Sequence, residues 1–347
     1  MIRPTLDRAV EREVELQKLL STPICALHLA PSGVLQECLE QVKGELRARG
    51  ISFVPDFYLG EDDFWTSDRA VSVNVPWYLA NSALWRLVND HLFRYTRAEV
   101  LMYLRHETGH ALNYAFELWR RKEWTQTFGD FRRPYRDVYN PNPWSRDFVR
   151  YLHRTGMYHY AQKHPDEDWA ETFAVWLDPS TRWRRRYASW QVALAKLEYL
   201  DRVIDVDGAC RGNPPNTRRG VRVPYGDMRE TVAEYLKITD AVDRDLAEYR
   251  KDLLEIFPRR ARTGAPAGDA QSAARFIQQH QRLLVDRLGG WIGRSDRRVI
   301  KKFLRQLEAV CTSERLVVPD KRRSEKLVDL TIVATWHVVD GIHRLSE

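Results

Sequence analysis

The stretch that most limits what this chain can become is a helix with its own start signal and two histidines one turn apart. Thr96-Arg97-Ala98-Glu99 is a capping box: the threonine oxygen takes the third helical amide and the glutamate reaches back to the cap. From there Val100, Leu101, Leu104, Thr108, Ala111, Leu112, Ala115 and Leu118 recur at three-and-four spacing. That period predicts a helix over about 97–122 with one core-facing stripe. His106, His110, Asn113 and Glu117 fall on a different stripe, which is expected to line a cleft. Gly109, in mid-helix, costs about 1 kcal/mol against alanine and so implies a close neighbour at that turn.

The residues on the second stripe carry chemistry. In Arg105-His106-Glu107-Thr108-Gly109-His110 the two imidazoles lie one above the other and can converge on one tetrahedral zinc ion. Glu107 between them points at the ion's open side, the HExxH arrangement of metal-assisted hydrolysis. With ten histidines in 347 residues, such a pattern arises by chance about one or two times in a hundred. The helical context decides against chance here.

A catalytic zinc takes three protein ligands, so a third must come from elsewhere. His164-Pro165-Asp166-Glu167-Asp168-Trp169-Ala170-Glu171-Thr172-Phe173-Ala174 offers one on a second helix. Pro165 suits its first turn, acidic residues suit the positive end of its dipole, and it is expected to stop at about Leu177 before Pro179. Glu167, Ala170, Glu171 and Ala174 share one face, and the alanines allow close approach to the first helix. Trp169, Phe173 and Trp176 occupy another face and are assigned to the core. Glu167 is expected to bind the metal and Glu171 to hydrogen-bond the free ring nitrogen of a ligand histidine, with the reverse assignment open.

Elsewhere the sequence is informative mainly by exclusion. Cys25, Cys38, Cys210 and Cys311 are scattered without a C-x-x-C pair, which argues against a zinc ribbon or a disulfide framework and for reduced thiols. No run of 18 apolar residues occurs and residues 1–20 lack an apolar signal core, so a cytoplasmic protein with no membrane partner is expected. The net charge of +7 is modest beside 30% charged residues of both signs. Clusters such as Arg184-Arg185-Arg186, Arg259-Arg260 and Lys321-Arg322-Arg323 therefore read as solvated faces before they read as a nucleic-acid surface.

In chain order, residues 5–20 and 33–49 read as helices, 51–59 and 70–75 as strands, and 81–93 as a helix. Val71-Ser72-Val73-Asn74-Val75 is the candidate edge strand for an extended substrate. Residues 124–143 read as an ordered aromatic loop, 145–154 as a helix, and 208–226 as linker composition. Helices are expected over 227–256, 269–288, 296–312 and 322–344, with 258–268 loosely held. These boundaries suggest a domain over 1–215 and a helical subdomain over 216–347.

H-E-x-x-H followed on a later helix by E-x-x-x-[DE] resembles the gluzincin metallopeptidases. Tyr160, seven residues before Glu167, is similar to the arrangement in the catalytic domain of anthrax lethal factor. The narrower resemblance is to a bacterial zinc-binding metallopeptidase family, through R-H-E-x-G-H-A-L-N-Y at Arg105–Tyr114 and Y-A-Q-x-H-P-x-E-D-x-A-E-T-F-A-x-W-L at Tyr160–Leu177. Members of that family often carry a zinc ribbon whose cysteines this chain lacks.

The resemblance implies an α+β, zincin-like fold with a small mixed sheet, an active-site helix and a mainly helical C-terminal part. It implies Zn2+ as cofactor, a protein or peptide as substrate, Glu107 as general base, and Tyr160 as oxyanion donor with Tyr158 as its rival. The alternative is a catalytically silent zinc protein whose basic helical region holds nucleic acid or a partner protein. A further possibility is a latent protease whose C-terminal helices cover its cleft.

Overall fold

A computed structural model describes residues 14–61, 63–92, 95–136, 139–155, 157, 159–236, 246–259, 271–292, 297–319 and 322–346. It divides into two compact units, one of His28–Leu87 and Tyr95–Met228, the other of Met1–Leu27, Val88–Arg94 and Arg229–Glu347. Helices and strands are mixed as expected: among the described residues there are many helices, one three-stranded sheet and one two-residue strand pair.

In chain order the main helices are α1 (Gly33–Ala48), α2 (Ser82–His91), α3 (Arg97–Ala115), α4 (Lys122–Phe128), α5 (Pro165–Leu177), α6 (Gln191–Leu200), α7 (Leu246–Ile256), α8 (Ala273–Ile292), α9 (Arg297–Ser313) and α10 (Arg323–Ser346). The strands are β1 (Asp56–Gly60), β2 (Trp65–Thr66), β3 (Ser72–Pro76), β4 (Gln271–Ser272) and β5 (Val317–Val318).

Helix α3 is the axis of the first unit, packed against α1, α5 and the sheet. Its capping box forms as read, with Glu99 N donating to Thr96 Oγ1 at 3.2 Å and Thr96 N to Glu99 Oε2 at 2.8 Å. Every residue from Val100 to Ala115 is buried, so the helix is enclosed on all faces rather than split between core and cleft. It ends at Ala115, earlier than its period suggests, because Glu117 adopts a left-handed φ of 49° that redirects the chain. A separate helix, α4, then occupies part of the expected aromatic loop.

The sheet has the order β1-β3-β2, with β1 parallel and β2 antiparallel to β3. The expected edge strand, Val71–Val75, is therefore the centre of the sheet, hydrogen-bonded on both sides. Its alternating apolar residues signal a strand but not its position. The edges are β1 and β2, the latter a two-residue strand that no period could mark. Residues 208–226 are not a free linker either: Val71 N donates to Arg218 O at 2.8 Å and Asn216 N to Ala115 O at 3.1 Å, pinning this segment beside β3 and α3.

Residues 145–154 form no α-helix, only a 3-10 turn at Leu152–Thr155. Their amides are claimed by side chains instead: Tyr151 N and Leu152 N donate to Glu171, and Arg150 N to the Tyr187 hydroxyl. Arg105 ties three elements together: its guanidinium donates to both Glu45 oxygens on α1 and, at 2.7 Å, to Asp178 just past α5.

In the second unit α7 to α10 enclose a core that includes Phe257, Phe276, Ile277, Leu284, Ile300, Leu304 and Leu307. The expected C-terminal helices fall near their read positions. Of the expected helices over 5–20 and 227–256, residues 5–13 and 237–245 lie outside the described residues, as does 260–268 of the 258–268 stretch. No helix among the described residues is long and apolar enough to cross a membrane.

Candidate metal centre

Close contact between α3 and α5 builds the site. A Cβ on Gly109 would stand 3.1 Å from Ala170 Cα and 3.0 Å from Phe173 Cδ1, which accounts for the glycine and identifies its close neighbour. Trp169 Nε1 donates to Gly109 O at 2.8 Å and ties the helices at that same turn. Trp169, Phe173 and Trp176 are fully buried, as assigned.

This contact brings together three donor atoms from residues up to 61 positions apart in sequence. His106 Nε2 lies 3.0 Å from Glu167 Oε2, His110 Nε2 lies 3.2 Å from His106 Nε2, and His110 Nε2 lies 3.3 Å from Glu167 Oε2. A tetrahedral zinc with bonds of about 2.0–2.1 Å holds its ligand atoms about 3.3 Å apart. The triangle therefore matches one zinc ion to within a few tenths of an ångström. Two imidazoles and one carboxylate are also a donor set that zinc favours.

The other ring nitrogens face carboxylates. Asp166 Oδ2 lies 3.0 Å from His110 Nδ1, and Glu171 Oε1 lies 3.4 Å from His106 Nδ1. A carboxylate at Nδ1 favours the tautomer with its proton there, leaving the Nε2 lone pair for a metal. Glu171 also accepts from the Tyr151 and Leu152 amides. Asp166 accepts from Asn113 Nδ2 at 3.1 Å and from the Tyr114 hydroxyl. Of the two acids considered as ligand, Glu167 joins the triangle and Glu171 stands behind His106.

Electrostatics follow from enclosing these charges. Burial alone lowers the His106 imidazole, but the Glu167 and Glu171 carboxylates outweigh it and push the group up to about 9. For His110 burial acts the same way, and Asp166 with Glu167 raises it well above its ordinary value. Burial favours the neutral acid of Glu167, yet the two imidazoles hold it well below the usual carboxylate range.

Glu107 is buried, and burial raises its carboxyl above the usual range despite the two imidazoles. Thr66 on β2 donates to Glu107 Oε2 at 2.9 Å. The ring of Tyr160 is tilted over His106 at 5.8 Å between centroids; Tyr158 lies outside the described residues. His164 caps α5 by accepting from Asp166 N at 3.1 Å.

Three contributors went unread in the sequence: Thr66, Asp166 and Tyr135, whose hydroxyl donates to Glu167 Oε1 at 2.5 Å. Asp166 was visible only as one acid in a helix's first turn, and Thr66 and Tyr135 sit in segments without a period.

Residues 90–198, which contain α3 and α5, match a family model described as "Putative zinc-binding metallo-peptidase". Both stretches that carry the sequence resemblance lie inside that match. No curated protein and no solved structure matches the chain.

Proposed function

We propose that this protein hydrolyses internal peptide bonds as a zinc-dependent, gluzincin-type endopeptidase, with His106, His110 and Glu167 holding the metal. The observation that carries this reading is the 3.0–3.3 Å triangle of His106 Nε2, His110 Nε2 and Glu167 Oε2, backed by carboxylates at both Nδ1 atoms. When bound, zinc supplies Lewis acidity that lowers the pKa of water towards about 7.

Glu107 acts as general base: it follows His106 on the same buried helix and has a raised proton affinity, so it can take a proton from the attacking water and return it to the leaving amine. The Thr66 hydroxyl occupies Oε2 and fixes the carboxylate's orientation, leaving Oε1 to handle the proton. Tyr160, tilted over His106, donates to the oxyanion that develops on the substrate carbonyl. Substrate backbone adds to the sheet at β2, the edge strand that carries Thr66.

Glu107→Gln tests the reading, because it removes the base without removing a ligand. Expected is one zinc per chain, as in the parent protein, with chelator-sensitive casein cleavage lost by about a thousandfold or more. Undiminished cleavage by this variant would rule the mechanism out.

A further inference from the structure

Glu167 offers two oxygens, and only one belongs to the metal triangle. Oε2 faces both histidines, while Oε1 accepts from the Tyr135 hydroxyl at 2.5 Å. A phenol has one proton. With that proton given to Glu167, the Tyr135 oxygen, 3.2 Å from the Tyr160 hydroxyl, can only accept from it. Without substrate the order of donors is thus Tyr160 to Tyr135 to Glu167, and the Tyr160 proton turns from Tyr135 to the oxyanion when substrate binds.

The segment bearing Tyr135 is built onto the start of α5. Arg133 donates through its guanidinium to Lys163 O at 2.8 Å, and His164 Nε2 donates to Arg133 O at 2.7 Å. Because His164 Nδ1 accepts from Asp166 N, its proton must sit on Nε2, which makes that second bond obligatory. The Tyr135 ring then lies 5.3 Å from the His164 ring, with Lys163 Nζ 4.4 Å above its centre and 5.2 Å from the Tyr160 ring. Four contacts converge to aim one hydroxyl at one carboxylate oxygen.

Resting on the metal reading above, we propose that Tyr135 is a positioning residue for the metal centre: by holding Glu167 Oε1, it makes the ligand carboxylate monodentate through Oε2 and keeps the ion's fourth position open. Without this hydroxyl, Oε1 is released to turn towards the cation, and the carboxylate becomes bidentate.

Tyr135→Phe removes only the hydroxyl of a half-exposed side chain and leaves the core packing intact, so the chelated variant should still unfold in one cooperative transition, at a somewhat lower temperature because Glu167 loses a donor. Its zinc affinity, read by competition with a chromophoric chelator, is expected to fall about 10- to 100-fold. In cobalt-substituted protein its visible bands should weaken, because a bidentate carboxylate raises the coordination number and lowers the intensity of a tetrahedral site. Tyr160→Phe should bind zinc with wild-type affinity. Wild-type zinc affinity together with an unchanged cobalt spectrum in Tyr135→Phe would overturn the inference while leaving the metal reading intact. A wild-type chain that takes up neither ion would instead sink the metal reading and this inference with it.

Discussion

Replacing Gly109 by alanine tests the packing on which the site depends. In an ordinary helix interior this change stabilises by about 1 kcal/mol, since alanine loses less backbone entropy. Here the added Cβ would stand 3.0 Å from Phe173 Cδ1, 3.1 Å from Phe173 Cβ and 3.1 Å from Ala170 Cα. Carbon atoms in contact prefer about 3.5–4.0 Å, and Ala170 Cα is backbone that cannot rotate away. Relief requires α3 and α5 to part by about 0.5 Å, with an overpacking cost of about 1–3 kcal/mol that cancels or exceeds the propensity gain. The same parting carries Glu167 away from His106 and His110 by more than the roughly 0.2 Å that metal–ligand bonds tolerate. Chelated Gly109→Ala should therefore gain no stability in denaturant unfolding, and its zinc affinity should fall at least tenfold, about 1.4 kcal/mol. A variant about 1 kcal/mol more stable than wild type, with unchanged zinc affinity, would refute the close-contact argument.

Four further outcomes follow from other parts of the structure. Arg105→Met strands the nearly buried carboxylates of Glu45 and Asp178 and should cost about 3–5 kcal/mol in urea unfolding; a loss below 1 kcal/mol would show this cluster to be dispensable. Thr66→Val should keep zinc but lower kcat by about tenfold or more with little change in KM, whereas a pure KM effect would assign Thr66 to substrate binding. Since carboxylates hold both imidazoles above their ordinary value, His106 up to about 9, zinc binding at pH 7 should expel protons, measurable by calorimetry in buffers of different ionisation enthalpy. Because His106 is raised above its unfolded value, the stability it lends the chelated protein is full below about pH 6.5 and lost as pH climbs through about 9, and the raised His110 acts in the same direction. Zinc uptake without proton release would contradict this account of the site's charge.

Local rules made the two helices readable. The capping box at Thr96, Pro165 in the first turn of α5 and the mid-helix glycine each name a physical requirement that the structure meets at the stated residue. The early stop of α3 was hidden because Glu117 turns the chain with a left-handed backbone where neither glycine nor asparagine signals it. Residues 145–154 have helical composition, but the Glu171 carboxylate captures their amides from a distant helix, and no local pattern records that. Thr66 and Tyr135 were illegible for the same reason: each reaches the site from a short or aperiodic segment, and only tertiary contact shows where its hydroxyl goes.

The most direct test of the central claim is zinc X-ray absorption on the full chain loaded with one equivalent of metal. The structure predicts two imidazole nitrogens and a carboxylate oxygen at about 2.0–2.2 Å, with occupancy lost in His106→Ala and in Glu167→Ala. A sulfur shell near 2.3 Å, or zinc retained unchanged by both variants, would contradict it.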